Sequence, residues 1–78
     1  MRIILSRHAR RRLQELRQEG ITLEDIISAA RRLPGLVPAA TRFRGFVSES
    51  GRVFDLVAKD IASGRLVITI IGQKKLSC

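Results

Sequence analysis

The sequence has few of the residues from which metal and redox sites are built. Among its 78 residues it has one cysteine, Cys78, one histidine, His8, and neither tryptophan nor tyrosine. A single cysteine excludes an internal disulfide and a cysteine cluster. With only one histidine beside it, too few ligands are left for a typical zinc site. We therefore expect no metal and no cofactor, and we interpret the Cys78 thiol as incidental.

Long apolar runs and glycine-rich loops are also missing. No apolar stretch approaches the ~18 residues of a membrane span, and Met1–Leu5 is too short for the core of a signal peptide. The six glycines are scattered and form no phosphate-binding loop. We expect a cytoplasmic protein without membrane association, and a single domain over residues 1–78, since this length leaves no room for a second core.

Negative charge is scarce. Seven acidic residues stand against 15 lysines and arginines, which gives a net charge of +8. Such an imbalance favours a polyanionic partner, either RNA, with DNA as a possibility, or an acidic protein. A chain of this size buries only roughly 60–65% of its unfolded surface, so a partner or a second copy could add stability. Monomer and homodimer both stay open.

Two amphipathic helices are predicted in the first half of the chain. Ser6 is a suitable N-cap for the first helix, which we expect to end at Gly20. Thr22 is predicted to cap the second, which Pro34-Gly35 ends. Their apolar stripes are Ala9, Leu13 and Leu16 in the first helix, and Leu23, Ile26, Ile27, Ala30 and Leu33 in the second.

After Pro38 the pattern is that of β-strands. The predicted strands are 41–48, 52–60 and 65–72. The last is apolar on both faces, so we expect it inside the sheet and covered on one side by helix. A short strand at Met1–Leu5 could make a fourth. The predicted fold class is α+β, with two N-terminal helices packed on one face of an antiparallel sheet of three or four strands.

The first helix carries the most obvious chemistry. Arginine binds phosphate oxygens through a planar fork, and histidine is suited to moving protons near neutral pH. At 100° per residue, His8 and Arg12 are adjacent and lie near the edge of the apolar stripe, whereas Arg7 and Arg11 face solvent. The arginines within four positions of His8 are Arg7, Arg10, Arg11 and Arg12.

A second basic surface is predicted on the sheet. Arg42 and Arg44 are two residues apart on a strand and share a face, which gives about 7 Å of positive track, close to a phosphate spacing. Phe46 would share that face and could stack a base, although a phenylalanine there is more often part of the core. Lys74 and Lys75 would extend the patch or form a solvated tail.

Structural interpretations of the same residues stay open. His8 and its neighbours can be a solvated basic helix face. Arg12 can pack its methylene stem over the core edge and form an ion pair with Glu15 or Glu19. Asp55, inside the second predicted long strand, can face an arginine across the sheet. The carboxylates form no convincing catalytic pair.

The string from Leu5 to Leu13, followed by Gly20-Ile21-Thr22, resembles a widespread bacterial and archaeal family of domains of unknown function. Its members open with a Ser-x-His-Ala-x-x-Arg helix and continue with a Gly-Ile-Ser/Thr turn, a second helix and a β-meander. The resemblance covers nearly the whole chain. More distantly, the architecture is similar to the RelE, ParE and BrnT toxins of toxin–antitoxin pairs.

The resemblance implies a small, metal-independent ribonuclease-like fold, with helices packed on an antiparallel sheet. It makes His8 and Arg12 the motif positions. Many relatives place an Arg-Gly pair soon after the first helix turn, and Arg17 would replace the arginine of that pair here. An acidic antitoxin is the partner that the more distant likeness implies.

The combined prediction is a small toxin-like ribonuclease that acts without metal. An RNA 2′-hydroxyl would attack the adjacent phosphate, His8 would move the proton, and Arg12 with Arg42 or Arg44 would hold the phosphate. A second acid–base group is not identified. The alternative is a non-catalytic basic module that binds nucleic acid or an acidic protein. A third possibility is an assembly subunit that dimerises through its sheet edge.

Overall fold

The structure, a computed structural model, describes residues 1–15 and 18–73. They form an α+β fold in which both helices pack on one face of a four-stranded sheet, as predicted. Arg17, Lys74 and Lys75 lie outside the described residues, so the predictions for them are not addressed. The elements are β1 (Ile3–Leu5), α1 (Arg7–Leu13), α2 (Leu23–Arg32), β2 (Thr41–Val47), β3 (Val53–Ile61) and β4 (Gly64–Gly72).

The sheet is mixed, so the prediction of a fully antiparallel sheet is wrong at one edge. Its strand order is β1-β4-β3-β2, and β2, β3 and β4 form the predicted antiparallel meander. β1 runs parallel to β4, with Ile4 beside Leu66. β4 is internal, as its apolar character predicted. A three-residue strand carries no local pattern that identifies a partner some 60 residues away, and for this reason its direction was mispredicted.

The core lies between the sheet and the two helices. Leu56 of β3 and Val67 and Ile70 of β4 are fully buried against Ala9 of α1 and Ile26 of α2. Burying an aliphatic side chain contributes about 1.5–3 kcal/mol, so this layer is the main source of stability. The other face of the sheet has no helix over it among the described residues.

α1 begins where predicted and ends earlier. The Ser6 hydroxyl accepts a hydrogen bond from the Ala9 backbone N–H at 3.0 Å and donates to the carbonyl oxygen of Ile68 at 2.6 Å, so one cap also joins the helix to β4. The helix ends at Leu13, with Gln14 as its C-cap. The predicted end at Gly20 is therefore wrong.

Gly20 contacts the turn between β2 and β3 instead of ending a helix. It is left-handed, with φ of +88°, and its carbonyl accepts a hydrogen bond from the Ser50 hydroxyl. A Cβ at this position would collide with Ser50 and Arg52. Glycine is therefore needed for close contact with the β2–β3 turn. The Ile21 N–H donates to the Gln18 carbonyl at 3.0 Å, which closes a tight turn just before α2, and Ile21 lies in the core.

The predicted cap of α2 is confirmed. The Thr22 hydroxyl accepts from the Asp25 backbone N–H at 3.1 Å, and the Asp25 carboxylate accepts from the Thr22 N–H at 2.8 Å, which completes a capping box. Burial alone would raise the pKa of Asp25, but these bonds and one from the Glu49 N–H hold it below its ordinary value. Asp25 is thus a structural carboxylate.

Arg65 fixes the other end of α2 to the sheet. Its side chain is 1% exposed, and all five of its N–H groups donate hydrogen bonds. Helix carbonyls without an intrahelical partner need such donors. The acceptors are the Asp60 carboxylate and the carbonyls of Ala30, Leu33 and Gly35, at 2.7–3.1 Å.

Candidate nucleic-acid interface

The outer surface of α1 is a cluster of exposed arginines. Ala9 is fully buried and points to the core, so Arg7, Arg10 and Arg11 point outward. Within residues 1–15 and 18–73, none of the three makes an ion pair. α1 itself contains no acidic residue. We call Arg7, Arg10 and Arg11 the arginine face.

Arg10 is not among the predicted site residues, although it lies on the same helix as His8 and Arg12. It lies 100° from Ala9 on the helix, on the flank opposite His8 and Arg12. That flank faces a groove that Arg10 lines together with Leu23 and Ile27 of α2. The signal that could have identified it is the helical angle of each arginine relative to the buried alanine.

Arg12 is half-buried and has a structural partner. Its Nε donates to the carbonyl oxygen of Ile70 at 2.7 Å. β1 pairs with β4 only as far as Val67. Beyond Val67 the backbone of β4 has no neighbouring strand on the β1 side. Arg12 donates to one of the backbone carbonyls that would otherwise lack a partner there. This partial burial fits the expectation that the methylene stem of Arg12 packs over the edge of the core. The expected ion pair with a glutamate is not found among the described residues.

His8 lies in the first turn of α1, one turn before Arg12, and is exposed. Its ring makes no hydrogen bond with any residue that the structure describes. Arg12 keeps its terminal Nη1 and Nη2 groups without a protein acceptor in the same part of the chain. The two side chains predicted to act together therefore lie on one flank of the helix and are open to a ligand.

Arg42 is engaged with Asp55, which confirms that this aspartate faces an arginine across the sheet. The Arg42 Nε and Nη2 atoms lie 3.0 and 2.7 Å from Asp55 Oδ2. Asp55 also accepts from the Gly45 N–H and the Gln73 side chain. Burial would raise the pKa of Asp55, but the Arg42 hydrogen bond, then the Gly45 bond, the Arg42 charge and the Gln73 bond lower it below its ordinary value. Arg42 is thus largely neutralised within the fold.

A bulge in β2 overturns one face prediction. Two residues, Arg44 and Gly45, oppose the single Asp55 of β3, and Gly45 has φ of +82°. The extra residue shifts the alternation, so Phe46 lies beside Phe54 on the helix-covered face, with ring centroids 5.7 Å apart. The prediction that Phe46 shares the face of Arg42 is wrong, and Phe46 belongs to the core edge instead.

The two predicted basic surfaces do not converge. α1 packs over β4, beside the β1 edge, whereas Arg42 and Arg44 lie on β2 at the opposite edge. Four strands set these edges about 14 Å apart. Arg42 also lies on the sheet face away from the helices. His8, Arg12 and Arg42 therefore cannot surround one phosphate, and only the α1 residues form a common surface.

In the part of the chain that the structure describes, His8 has no metal cluster beside it. In the described segments no three histidine, cysteine or acidic side chains come together as possible metal ligands. A cavity of about 520 Å³ lies between α2 and β2, lined by residues that include Ser28, Arg32 and Phe46 but none from α1. The arginine face is thus an open surface suited to an extended ligand.

Comparisons with protein-family models, with curated proteins and with solved structures find no match to this chain. No helix in the described segments is long and apolar enough to cross a membrane. Function must therefore be inferred from the charge and geometry of the chain itself.

Proposed function

We propose that this protein binds RNA through the arginine face of α1. The observation that carries the proposal is that Arg7, Arg10 and Arg11 are exposed and have no carboxylate partner among the described residues. Arg7 and Arg11 are one turn apart, about 6 Å, which is similar to the spacing of phosphates along a strand. Guanidinium groups bind phosphate oxygens through paired hydrogen bonds.

The acidic residues support this interpretation by their positions. Asp25 caps α2, Asp55 pairs with Arg42, and Asp60 pairs with Arg65. These three carboxylates satisfy groups within the fold and leave the arginine face unneutralised. RNA that binds to the arginine face would release the counterions bound to its phosphates. The affinity for RNA should therefore fall steeply as the salt concentration rises.

The test is a titration of labelled single-stranded RNA at low and moderate salt. The double variant Arg7→Gln/Arg11→Gln should bind more weakly, and its log–log salt slope should fall by about 1.4, because about two phosphate contacts are removed. The matched control is Arg31→Gln/Arg32→Gln, which removes the same charge from two exposed arginines at the end of α2.

We expect the control pair to retain most of the affinity. Equal losses in both double variants would mean that only net charge matters. The absence of wild-type binding at low salt would refute the proposal and favour an acidic protein as the ligand of these arginines. Single-stranded and duplex DNA in parallel titrations test the preference for RNA.

A second candidate is metal-independent RNA cleavage at the same helix. It is favoured by the exposed His8 ring, one turn from an Arg12 whose Nε is fixed by Ile70 and whose terminal nitrogens are open. The 2′-oxygen would attack phosphorus as its proton leaves, the bond to the 5′-oxygen would break, and that oxygen would receive a proton. His8 would carry one of these protons, and Arg12 would offset the charge of the transition state.

His8→Ala should lower such cleavage by about 10²–10⁴-fold with little change in affinity. Arg12→Ala should weaken both binding and cleavage. The products should carry a 2′,3′-cyclic phosphate and a 5′-hydroxyl, and cleavage should survive a chelator. Wild-type protein that binds RNA tightly without cutting it would leave the binding module as the function.

This second candidate includes the toxin-like features that the sequence suggests. The protein would then be a RelE-, ParE- or BrnT-like toxin of the cytoplasm, with an acidic antitoxin covering the arginine face. Coexpression with an acidic protein that is encoded by a neighbouring gene should relieve any growth arrest that the toxin causes. Induction of the protein alone, with growth and RNA integrity followed together, tests the premise.

A further inference from the structure

The sheet has an open face that neither helix covers. The strand register places Val57 beside Thr69, and Ile4 beside Leu66, on the side opposite the buried Leu56. We call this surface the open sheet face. Its apolar members are half-buried or exposed: Ile4, Val47, Val53, Val57, Leu66 and Ile71, with the methyl group of Thr69.

The charge on this face consists of one ion pair and of single cations near its margins. Arg42 of the edge strand β2 is paired with Asp55 of β3, whose side chain is 2% exposed. Among the described strand residues, the other charged side chains on this face are Arg44, on the edge strand β2, and Lys59, near the end of β3. An apolar surface whose unpaired charges lie at the rim is typical of a surface that contacts another protein.

The area of the face suits a second copy of a chain this small. The four strands have three, seven, nine and nine residues. At about 4.8 Å between strands and about 3.3 Å per residue, they cover about 450 Å². Two such faces in contact remove about 900 Å² of flat area, and more with side-chain relief, which approaches the roughly 1,200 Å² of a small specific interface.

The position of the helices makes self-association through this face compatible with the positive charge of α1. Pairing through the open sheet face places the α1 helices on the two outer surfaces of the dimer. The two helix layers are then separated by three interlayer spacings of about 10 Å each. That distance exceeds the Debye length of about 8–10 Å, so the arginine faces would not repel each other strongly.

We propose that this protein forms a homodimer by packing the open sheet faces of two copies against each other, in four layers with the helices outside. The core of each copy would then be covered on both sides of its sheet. The two arginine faces would point away from each other, so a dimer that binds RNA would carry two independent binding surfaces. The dimer itself does not depend on RNA binding.

Sedimentation velocity over about 1–500 µM tests the proposal, in the range where an interface of this size associates. The mass should rise from the 8.7 kDa monomer towards twice that value. Val57→Lys and, separately, Val53→Lys should raise the dimer dissociation constant at least tenfold, because each places an unpaired charge in the contact. Leu36→Lys is the matched control, since Leu36 is 78% exposed and lies outside the strands.

Salt gives an independent readout. Apolar association should hold or strengthen as salt rises, whereas RNA binding should weaken. Circular dichroism at low concentration shows whether each variant is folded, and if Val57→Lys unfolds, the more exposed Val53 position decides. A wild-type monomer at the highest concentration overturns the proposal and leaves the face to a different protein. A dimer unaffected by either folded variant, or weakened equally by Leu36→Lys, overturns it too.

Discussion

The Nε atom of Arg65 lies 2.7 Å from Oδ1 of Asp60 on the neighbouring strand, and this pair holds the end of α2 against the sheet. Asp60 also accepts from the backbone N–H of Val37, in the connection between α2 and β2. Because every N–H of Arg65 has an acceptor, this arginine belongs to the architecture and has no donor left for a ligand. Basic residues in this chain thus divide into structural and available ones.

Loss of Arg65 should be among the most damaging single changes. Arg65→Met should lower the free energy of unfolding by about 3–5 kcal/mol, because it leaves a carboxylate and helix carbonyls without their donor. Arg65→Lys should restore little, since one ammonium cannot reach all these acceptors. Urea unfolding measures both, with the exposed Lys59→Met as control. A loss below about 1 kcal/mol in Arg65→Met would contradict this account.

The aspartates should make the fold sensitive to acid. The Arg65 hydrogen bond, followed by that of Val37, lowers the pKa of Asp60, and the pKa of Asp55 is also lowered. Their stabilising effect is full above the unfolded pKa of about 3.9 and is lost as pH falls through the lower folded values. The urea midpoint should be nearly flat from about pH 7 to 5 and should fall below about pH 4.

Asp55→Asn should be less stable at neutral pH and should show a shallower acid decline. Glu24→Gln, at an exposed position, should keep the wild-type slope. A midpoint that does not change down to about pH 3 would show that these carboxylates are not linked to folding.

Gly64→Ala tests the contact between β1 and the β3–β4 hairpin. Gly64 has φ of +144°, and a Cβ there would collide with the backbone carbonyl of Arg2. Gly51 also has a positive φ, +90°, but has open space around it. Gly51→Ala should therefore cost only backbone strain, about 1–2 kcal/mol, and Gly64→Ala clearly more. Thermal unfolding of the two variants isolates the steric part, and equal losses would argue against the close approach.

Arg12 should affect stability in a way that the arginine face does not. Arg12→Gln removes the donor to the Ile70 carbonyl and should cost about 1 kcal/mol. Arg11→Gln, on the exposed side of the same helix, should change stability by less than about 0.5 kcal/mol while weakening RNA binding. Denaturant titrations and RNA titrations on both variants separate the two effects. Similar stability in both variants would mean that the hydrogen bond from Arg12 to the Ile70 carbonyl contributes little to the free energy of unfolding.

Elements with strong local signals were predictable from the sequence. Ser6 and Thr22 are capping residues at the start of periodic stripes, and both helices begin there. Alternation and turn residues located the three strands after Pro38 to within about one residue. The end of α1 was not predictable in the same way, because Gly20 has a left-handed backbone for a tertiary contact with Ser50 rather than for a helix cap.

The candidate site was predictable only within one helix. The adjacency of His8 and Arg12 follows from helical geometry and is present in the structure. Whether Arg42 lies near His8 and Arg12 depends on the strand order and on the direction of β1. Both are decided by long-range packing, which the local sequence does not show. The bulge at Gly45 likewise reverses the face of Phe46, and strict alternation cannot anticipate an inserted residue.

The pairing of β1 with β4 bears on the order of events in folding. β4 joins β1 and β3, so the central part of the sheet cannot form until this last-made strand is available. Contacts between distant segments slow folding, because a long loop must close before they become favourable. During synthesis the apolar faces of α1 and α2 would therefore stay exposed until β4 has been made. A chain truncated before Gly64 should fail to fold and should be prone to aggregation, even though it contains both helices.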